Sequence, residues 1–166
     1  MALSIIGVVL SGCETLLDAP TYTETADATY YLVRHAEKQK GKDPSLTAAG
    51  IIRAEHLAVE LDRVSLSQIY STDYKRTQQT AAPTAIAQKL NVISYSPQDL
   101  EKFASQLKTQ RGAILIVGHS NTTPDLVAFL GGEAGEPIVE VSEYDRLYVV
   151  TRKGRKIDTF LRRYNP

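Results

Sequence analysis

The run Ala113-Ile114-Leu115-Ile116-Val117 constrains the fold of this chain more than any other feature. A strand with one wet face alternates apolar and polar residues, whereas an unbroken apolar run suits a central strand of a parallel sheet, covered on both faces. Matching pieces surround it. Thr29-Tyr30-Tyr31-Leu32-Val33 is a β-branched and aromatic run that predicts a second buried strand. Residues 68–71 and 92–93 predict two shorter ones. Over residues 46–61, apolar residues recur at helical spacing (Leu46, Ala49, Ile52, Leu57, Leu61). Residues 75–90, 98–109 and 121–130 read as further helices; Pro83 is expected to kink or break the first of these, and Gly131-Gly132 to stop the last. Residues 146–151 and 156–162 read as a hairpin turning at Lys153-Gly154. This succession predicts an α/β three-layer sandwich, with a mostly parallel central sheet flanked by helices and an antiparallel edge hairpin at the C-terminus.

In such sheets ligands bind at the carboxyl ends of the strands. Arg34-His35 follow the first strand, residues 71–76 follow the second, and His119-Ser120 follow the 113–117 run. Taken singly, each arginine reads as a solvated charge and each histidine as an ordinary surface or core residue. Together Arg34, His35, Arg76 and His119 bring convergent cationic groups to one rim, which suits a phosphoryl group with oxygens to be clamped. Helix starts near Lys75 and Asn121 add backbone N–H donors on the same side.

At these residues the chain resembles the histidine phosphatase superfamily, also called phosphoglycerate mutase-like, and in particular its small members without a cap. The resemblance is carried by Leu32-Val33-Arg34-His35-Ala36-Glu37, by Leu46-Thr47-Ala48-Ala49-Gly50, by Ser71 through Arg76-Thr77-Gln78-Gln79-Thr80-Ala81, and by Val117-Gly118-His119-Ser120. It implies that His35 is a nucleophile forming a phosphohistidine, and that Arg34, Arg76 and His119 bind the phosphate oxygens. It implies no metal and no cofactor. A carboxylate from the region after the third strand is implied as general acid, which here is Asp99, with Glu101 the alternative. The superfamily's Gly after the nucleophile is Ala36, and positions where mutase-like members carry Ser and Asn hold Lys38 and Gly41, which weakens a sugar-phosphate mutase reading. The expected activity is hydrolysis of a small phosphorylated substrate. The alternatives are a phosphohistidine-protein phosphatase and a non-catalytic lipoprotein that binds a phospholigand.

Formal net charge is zero, which gives no reason to expect nucleic acid as a partner. The basic residues gathered near the C-terminus (Arg152, Lys153, Arg155, Lys156, Arg162, Arg163) read as a solvated edge hairpin. One cysteine, Cys13, excludes an intrachain disulfide. Residues 1–12 are apolar and small, too short for a span, and Leu10-Ser11-Gly12-Cys13 resembles a bacterial lipobox followed by a polar tether. No Lys or Arg precedes Arg34, so a basic start to the signal is missing. The expected organisation is a lipoprotein signal and tether over residues 1–27 and one domain over 28–166, held at the cell envelope, periplasm-facing or at the surface, through a lipid on Cys13. Membrane fractionation checks this: the protein is expected to pellet with membranes and take up labelled palmitate, and Cys13→Ser to lose both. A Cys13→Ser protein that stays with membranes after a carbonate wash contradicts it.

Overall fold

The apolar runs need cover on both faces, and the fold provides it. The computed structural model describes residues 27–166; Cys13, the lipobox and most of the tether lie outside the described residues. Strands β1 (Ala28–Arg34), β2 (Leu66–Thr72), β3 (Val92–Tyr95), β4 (Gly112–Gly118), β5 (Arg146–Lys153) and β6 (Lys156–Arg163) form one six-stranded sheet in the order β3-β2-β4-β1-β5-β6. The first four strands are parallel; β5 runs antiparallel to β1, and β6 antiparallel to β5. This is the expected α/β sandwich with its antiparallel C-terminal hairpin.

Alternate residues of each central strand feed opposite cores. Tyr30, Leu32, Ile114 and Ile116 pack with Phe103 and Leu107 of α3 (Leu100–Leu107) and with Leu126 and Val127 of α4 (Thr122–Phe129). Val33, Leu115 and Val117 pack on the other side, with Leu57 of α1 (Ala48–Glu60) and with Ala81 and Ala85 of α2 (Lys75–Gln88). Ile114 through Val117 are all buried, which is why that run carries no polar residue.

Two local expectations change. Pro83 lies inside α2, which continues through it. The ring removes one backbone hydrogen bond, but the buried Thr80, Ala81, Thr84 and Ala85 pin the helix to the sheet on both sides of it. Arg152 is not part of a solvated hairpin. It is buried on β5, and its Nη2 donates to the Tyr30 hydroxyl (3.0 Å) and to the Gln110 carbonyl (3.4 Å), just beyond the C-terminal end of α3 where carbonyls lack helical partners. The other basic residues of that stretch are exposed.

Helix α1 starts at Thr47, whose hydroxyl accepts from the Gly50 N–H at 3.1 Å. Gly50 lets this first turn press against the chain just after β1: a Cβ there would lie 2.1 Å from the Glu37 carbonyl oxygen. Helix propensity favours Ala over Gly by about 1 kcal/mol, but the overlap is with backbone, which cannot swing aside. Gly50→Ala is therefore expected to destabilise the protein by about 1–3 kcal/mol in urea unfolding, the range for overpacking. An unchanged or raised midpoint contradicts this.

Candidate active site

Three adjacent strands, β2, β4 and β1, deliver their carboxyl ends to one place. Arg34 is the last residue of β1, paired with Gly118 of β4, and His35 N donates to the Gly118 carbonyl at 2.9 Å. His35 and His119 therefore leave neighbouring strands together, with ring centroids 5.7 Å apart. Arg76 enters from the first turn of α2, beyond β2, and its Nη2 lies 3.4 Å from His119 Nδ1. The structure thus brings Arg34, His35, Arg76 and His119 to one rim.

Each side chain is set by an identifiable neighbour. His35 Nδ1 is 2.8 Å from the Ala36 carbonyl oxygen, which can only accept. Nδ1 therefore carries the proton, and Nε2 is left with its lone pair. His119 sits in a hydrogen-bond chain with one consistent direction. Arg76 donates to Nδ1, and Nε2–H donates to Thr72 Oγ1 at 3.0 Å. Thr72 Oγ1 donates in turn to Thr77 Oγ1 (3.0 Å), which donates to the Thr72 carbonyl (2.8 Å). Thr80 Oγ1 accepts from Ala36 N at 2.9 Å and donates to the Arg76 carbonyl at 2.7 Å, tying the residue after His35 to the helix that carries Arg76. The Thr-Gln-Gln-Thr segment after Arg76 is thus mostly a set of struts: Gln78 Nε2 donates to the Thr72 carbonyl (3.1 Å), and Gln79 Oε1 accepts from Leu46 N (2.8 Å).

Arg34 and His35 are only 2% and 3% exposed. Arg34 spends one donor, Nη1, on the Glu143 carbonyl at 2.9 Å, and its guanidinium lies 4.2 Å from the centre of the Tyr144 ring. Its Nε and Nη2 have no partner. Those two N–H groups form one parallel fork, the edge that takes two oxygens of a carboxylate or phosphate. Arg76 is placed likewise, over the Tyr74 ring at 4.5 Å, with Nε unpartnered and Nη1 3.8 Å from Asp43 Oδ1. Burial, reinforced by the arginines, pushes the His35 pKa down to about 3 and that of His119 down to about 4. Both rings are neutral near pH 7, and His35 Nε2 keeps its lone pair.

Asp99 is not brought to this group. It caps α3, accepting from Lys102 N at 3.2 Å, and among the described residues no hydrogen bond, ion pair or ring contact joins it to the cage. Glu101 is exposed in the first turn of the same helix. Glu37 is held by Arg53 at 2.8 Å. The carboxylates near the arginines come instead from loops: Asp43 beside Arg76, and Glu140, close enough to Arg34 to raise its pKa against the larger lowering by burial. Sequence reasoning missed Tyr74, Thr72, Asp43 and the 130–145 loop with Glu143 and Tyr144. Of these, Thr72 and Tyr74 lie inside the recognisable 71–81 stretch; the others carry no local signal.

Residues 30–97 match the histidine phosphatase superfamily (branch 1). The matched stretch holds Arg34, His35 and Arg76; His119 lies beyond it and is brought in by the pairing of β4 with β1. Among solved structures, the α-ribazole phosphatase from Shigella flexneri is similar, with TM-score 0.64 and 20% identity over 83% of this chain and 96% of that one. A provisionally assigned phosphohistidine phosphatase SixA from Agrobacterium tumefaciens gives 0.60 and 22%, over 86% and 98%. The phosphoglycerate mutase from Bacillus anthracis gives 0.62 and 13%, over 83% and 93%. These likenesses show the shared fold. No curated protein matches the chain significantly.

The two neutral histidines give a test in pH. An unfolded histidine has the ordinary value of 6.5, so between that pH and about 4 the unfolded chain takes up protons that the folded site refuses. Stability therefore falls as pH falls through this window. Thermal unfolding is expected to show that slope, and the His35→Asn, His119→Asn double variant to show a shallower one; equal slopes would mean that the rings are not held neutral.

Proposed function

We propose that the protein is a phosphatase of this superfamily, in which His35 takes the phosphoryl group from a phosphomonoester and passes it to water. The observation that carries the reading is the unpartnered Nε/Nη2 fork of Arg34 beside the free Nε2 of His35. In the first step Nε2 forms a bond to phosphorus while the P–O bond of the ester breaks, and the leaving oxygen takes up a proton. In the second step water attacks phosphorus, the P–N bond breaks, and inorganic phosphate and neutral His35 are restored. Arg34 and Arg76 hold the equatorial oxygens through both steps, where charge spreads over them. Their positive charge suffices for a metal-independent reaction. The phosphate dianion offsets the arginine field that lowers the His119 pKa, so His119 gains a proton more readily with substrate bound.

A second reading, a phosphohistidine-protein phosphatase, is favoured by one feature. Among the described residues no carboxylate contacts His35 or His119, and an imidazole leaving group needs less help from an acid than an alkoxide does. Three of the similar folds are described as SixA, two of them as provisionally assigned phosphohistidine phosphatases and the third as a protein histidine phosphatase complexed with tungstate. A non-catalytic phospholigand binder would share the fork but would turn nothing over. The anchor at Cys13 remains part of the proposal; among the described residues no helix is long and apolar enough to cross a membrane.

Hydrolysis of p-nitrophenyl phosphate is expected to survive EDTA and to fall by about 10³-fold or more in His35→Ala, since the covalent route is lost. Acid quenching during turnover is expected to trap acid-labile, base-stable phosphate on the wild type only. Retention of most of the rate in His35→Ala overturns the assignment of the nucleophile, and loss with EDTA restored by a divalent ion overturns metal independence.

A further inference from the structure

The segment between β1 and α1 is built as a stiff hairpin. Lys38 bridges Leu46 in antiparallel fashion, Gln39 N donates to the Ser45 carbonyl (2.9 Å), and Thr47 N donates to the Glu37 carbonyl (2.9 Å). Its tip turns through two positive-φ residues, Gly41 (125°) and Asp43 (76°). Asp43 then fastens the tip to the start of α2: its Oδ1 accepts from Lys75 N at 2.9 Å and lies 3.8 Å from Arg76 Nη1. The hairpin is thus fastened beside the cage at its base and at its tip.

That hairpin carries Lys38, Lys40 and Lys42, and Lys75 stands where it docks. Among the described residues none of these four ammonium groups forms an ion pair. The acids that could neutralise them are mostly engaged elsewhere, Asp43 with α2 and Glu37 with Arg53, leaving Asp73 exposed at the turn before Arg76. Lys40 and Lys42 flank Gly41 at the tip, three and one residues before Asp43, and each has a flexible four-carbon stem that reaches well past its own backbone. A phosphoester seated on Arg76 thus has on the side of Asp43 a hairpin tip whose lysines form no ion pair among the described residues.

We propose that this hairpin selects phosphoesters bearing a second anionic group, a phosphate or carboxylate some atoms away from the one attacked, held by Lys40 and Lys42. The inference rests on the phosphatase reading above and narrows its substrate class. The lysines lie outside the cage, so they act on binding of the leaving group and not on the chemical step. Their effect therefore belongs in KM.

The full chain tests this on three substrate sets: p-nitrophenyl phosphate, alkyl monophosphates, and alkane-α,ω-diol bisphosphates of graded length. For at least one chain length the bisphosphate is expected to show the higher kcat/KM, and K40Q/K42Q to lower that preference about threefold to tenfold through KM, as two exposed ion pairs would. Removing a charge on α3's C-terminal cap instead, K108Q, is expected to leave the preference in place. Turnover of p-nitrophenyl phosphate with no bisphosphate preference at any length overturns the inference and leaves the phosphatase reading standing, as does a preference that K40Q/K42Q retains. A double variant that keeps the preference but loses binding to vesicles of anionic phospholipid assigns the lysines to a membrane surface and overturns it too. No turnover of any of the three sets overturns both readings.

Discussion

Everything at the site depends on the parallel pairing of β1 with β4. Arg34 stands opposite Gly118, and the bond from His35 N to the Gly118 carbonyl carries the ladder one residue past the strand. Two histidines distant in sequence thereby leave the sheet side by side. Gly118 belongs to the same device, because a Cβ there would lie 2.9 Å from both Thr123 Oγ1 and the Tyr95 hydroxyl. Thr123, in turn, bonds the Val33 carbonyl at 3.3 Å, so α4 is fastened to the strand that leads into His35. A site mounted on central strands covered on both faces moves little, as the proposed attack by His35 would require.

Gathering cations at one rim is unfavourable in itself, and the fold answers with partners weaker than a paired carboxylate. Both histidines are neutral through burial, which removes two charges from the cluster. Arg34 has a tyrosine face and one carbonyl; Arg76 has a tyrosine face and a carboxylate at 3.8 Å. A bidentate carboxylate on either arginine would be more stabilising locally, and it would also occupy the edge that a phosphate needs. The contrast lies a few residues away: Arg53 grips Glu37 with Nε and Nη2, and Arg146 grips Glu143 at 2.7 Å. Those arginines hold structure and have no fork to offer. Arg146 and Arg163 both bind Glu143, so the loop that presents the Glu143 carbonyl and Tyr144 to Arg34 is itself clamped to the terminal hairpin.

The fold was legible because its central strands are extreme in composition, and the cage was legible because its members stand directly after those strands. Arg34, His35 and His119 need only the strand to end where the apolar run ends. Arg76 is one turn into a helix whose start the sequence also marks. Asp99 stands after the third strand, where the resemblance implies a general acid, but Asp at a helix start satisfies backbone N–H groups whatever else it does, and its bond to Lys102 N shows it doing so. Asp43 and Tyr144 were illegible for the opposite reason. They sit in connections whose path is fixed by contacts distant in sequence, the Lys75 N–H for one and the Arg146 and Arg163 clamps for the other. No local periodicity encodes such a path. Arg152 was misread because a basic residue amid exposed basic residues looks solvated, and only strand register reveals that it faces inward beside Tyr148 and Val150.

A cage of two arginines and two histidines is blind to what the phosphate is attached to. On the phosphatase reading its donors would hold the phosphoryl oxygens and the His35 nitrogen would meet phosphorus, and neither would touch the leaving group. Discrimination has to come from the walls, and here the walls are the 38–46 hairpin beside Arg76 and the 130–145 loop over Arg34. They differ in character. The first carries lysines free of ion pairs, among the described residues, on a stapled backbone; the second closes on Arg34 with a carbonyl and an aromatic ring and holds Glu140 near it. A substrate that approaches phosphate-first therefore meets positive charge on one side and an aromatic, partly acidic wall on the other. On the substrate reading proposed above, this asymmetry would turn an anionic leaving group towards the lysines and away from Glu140.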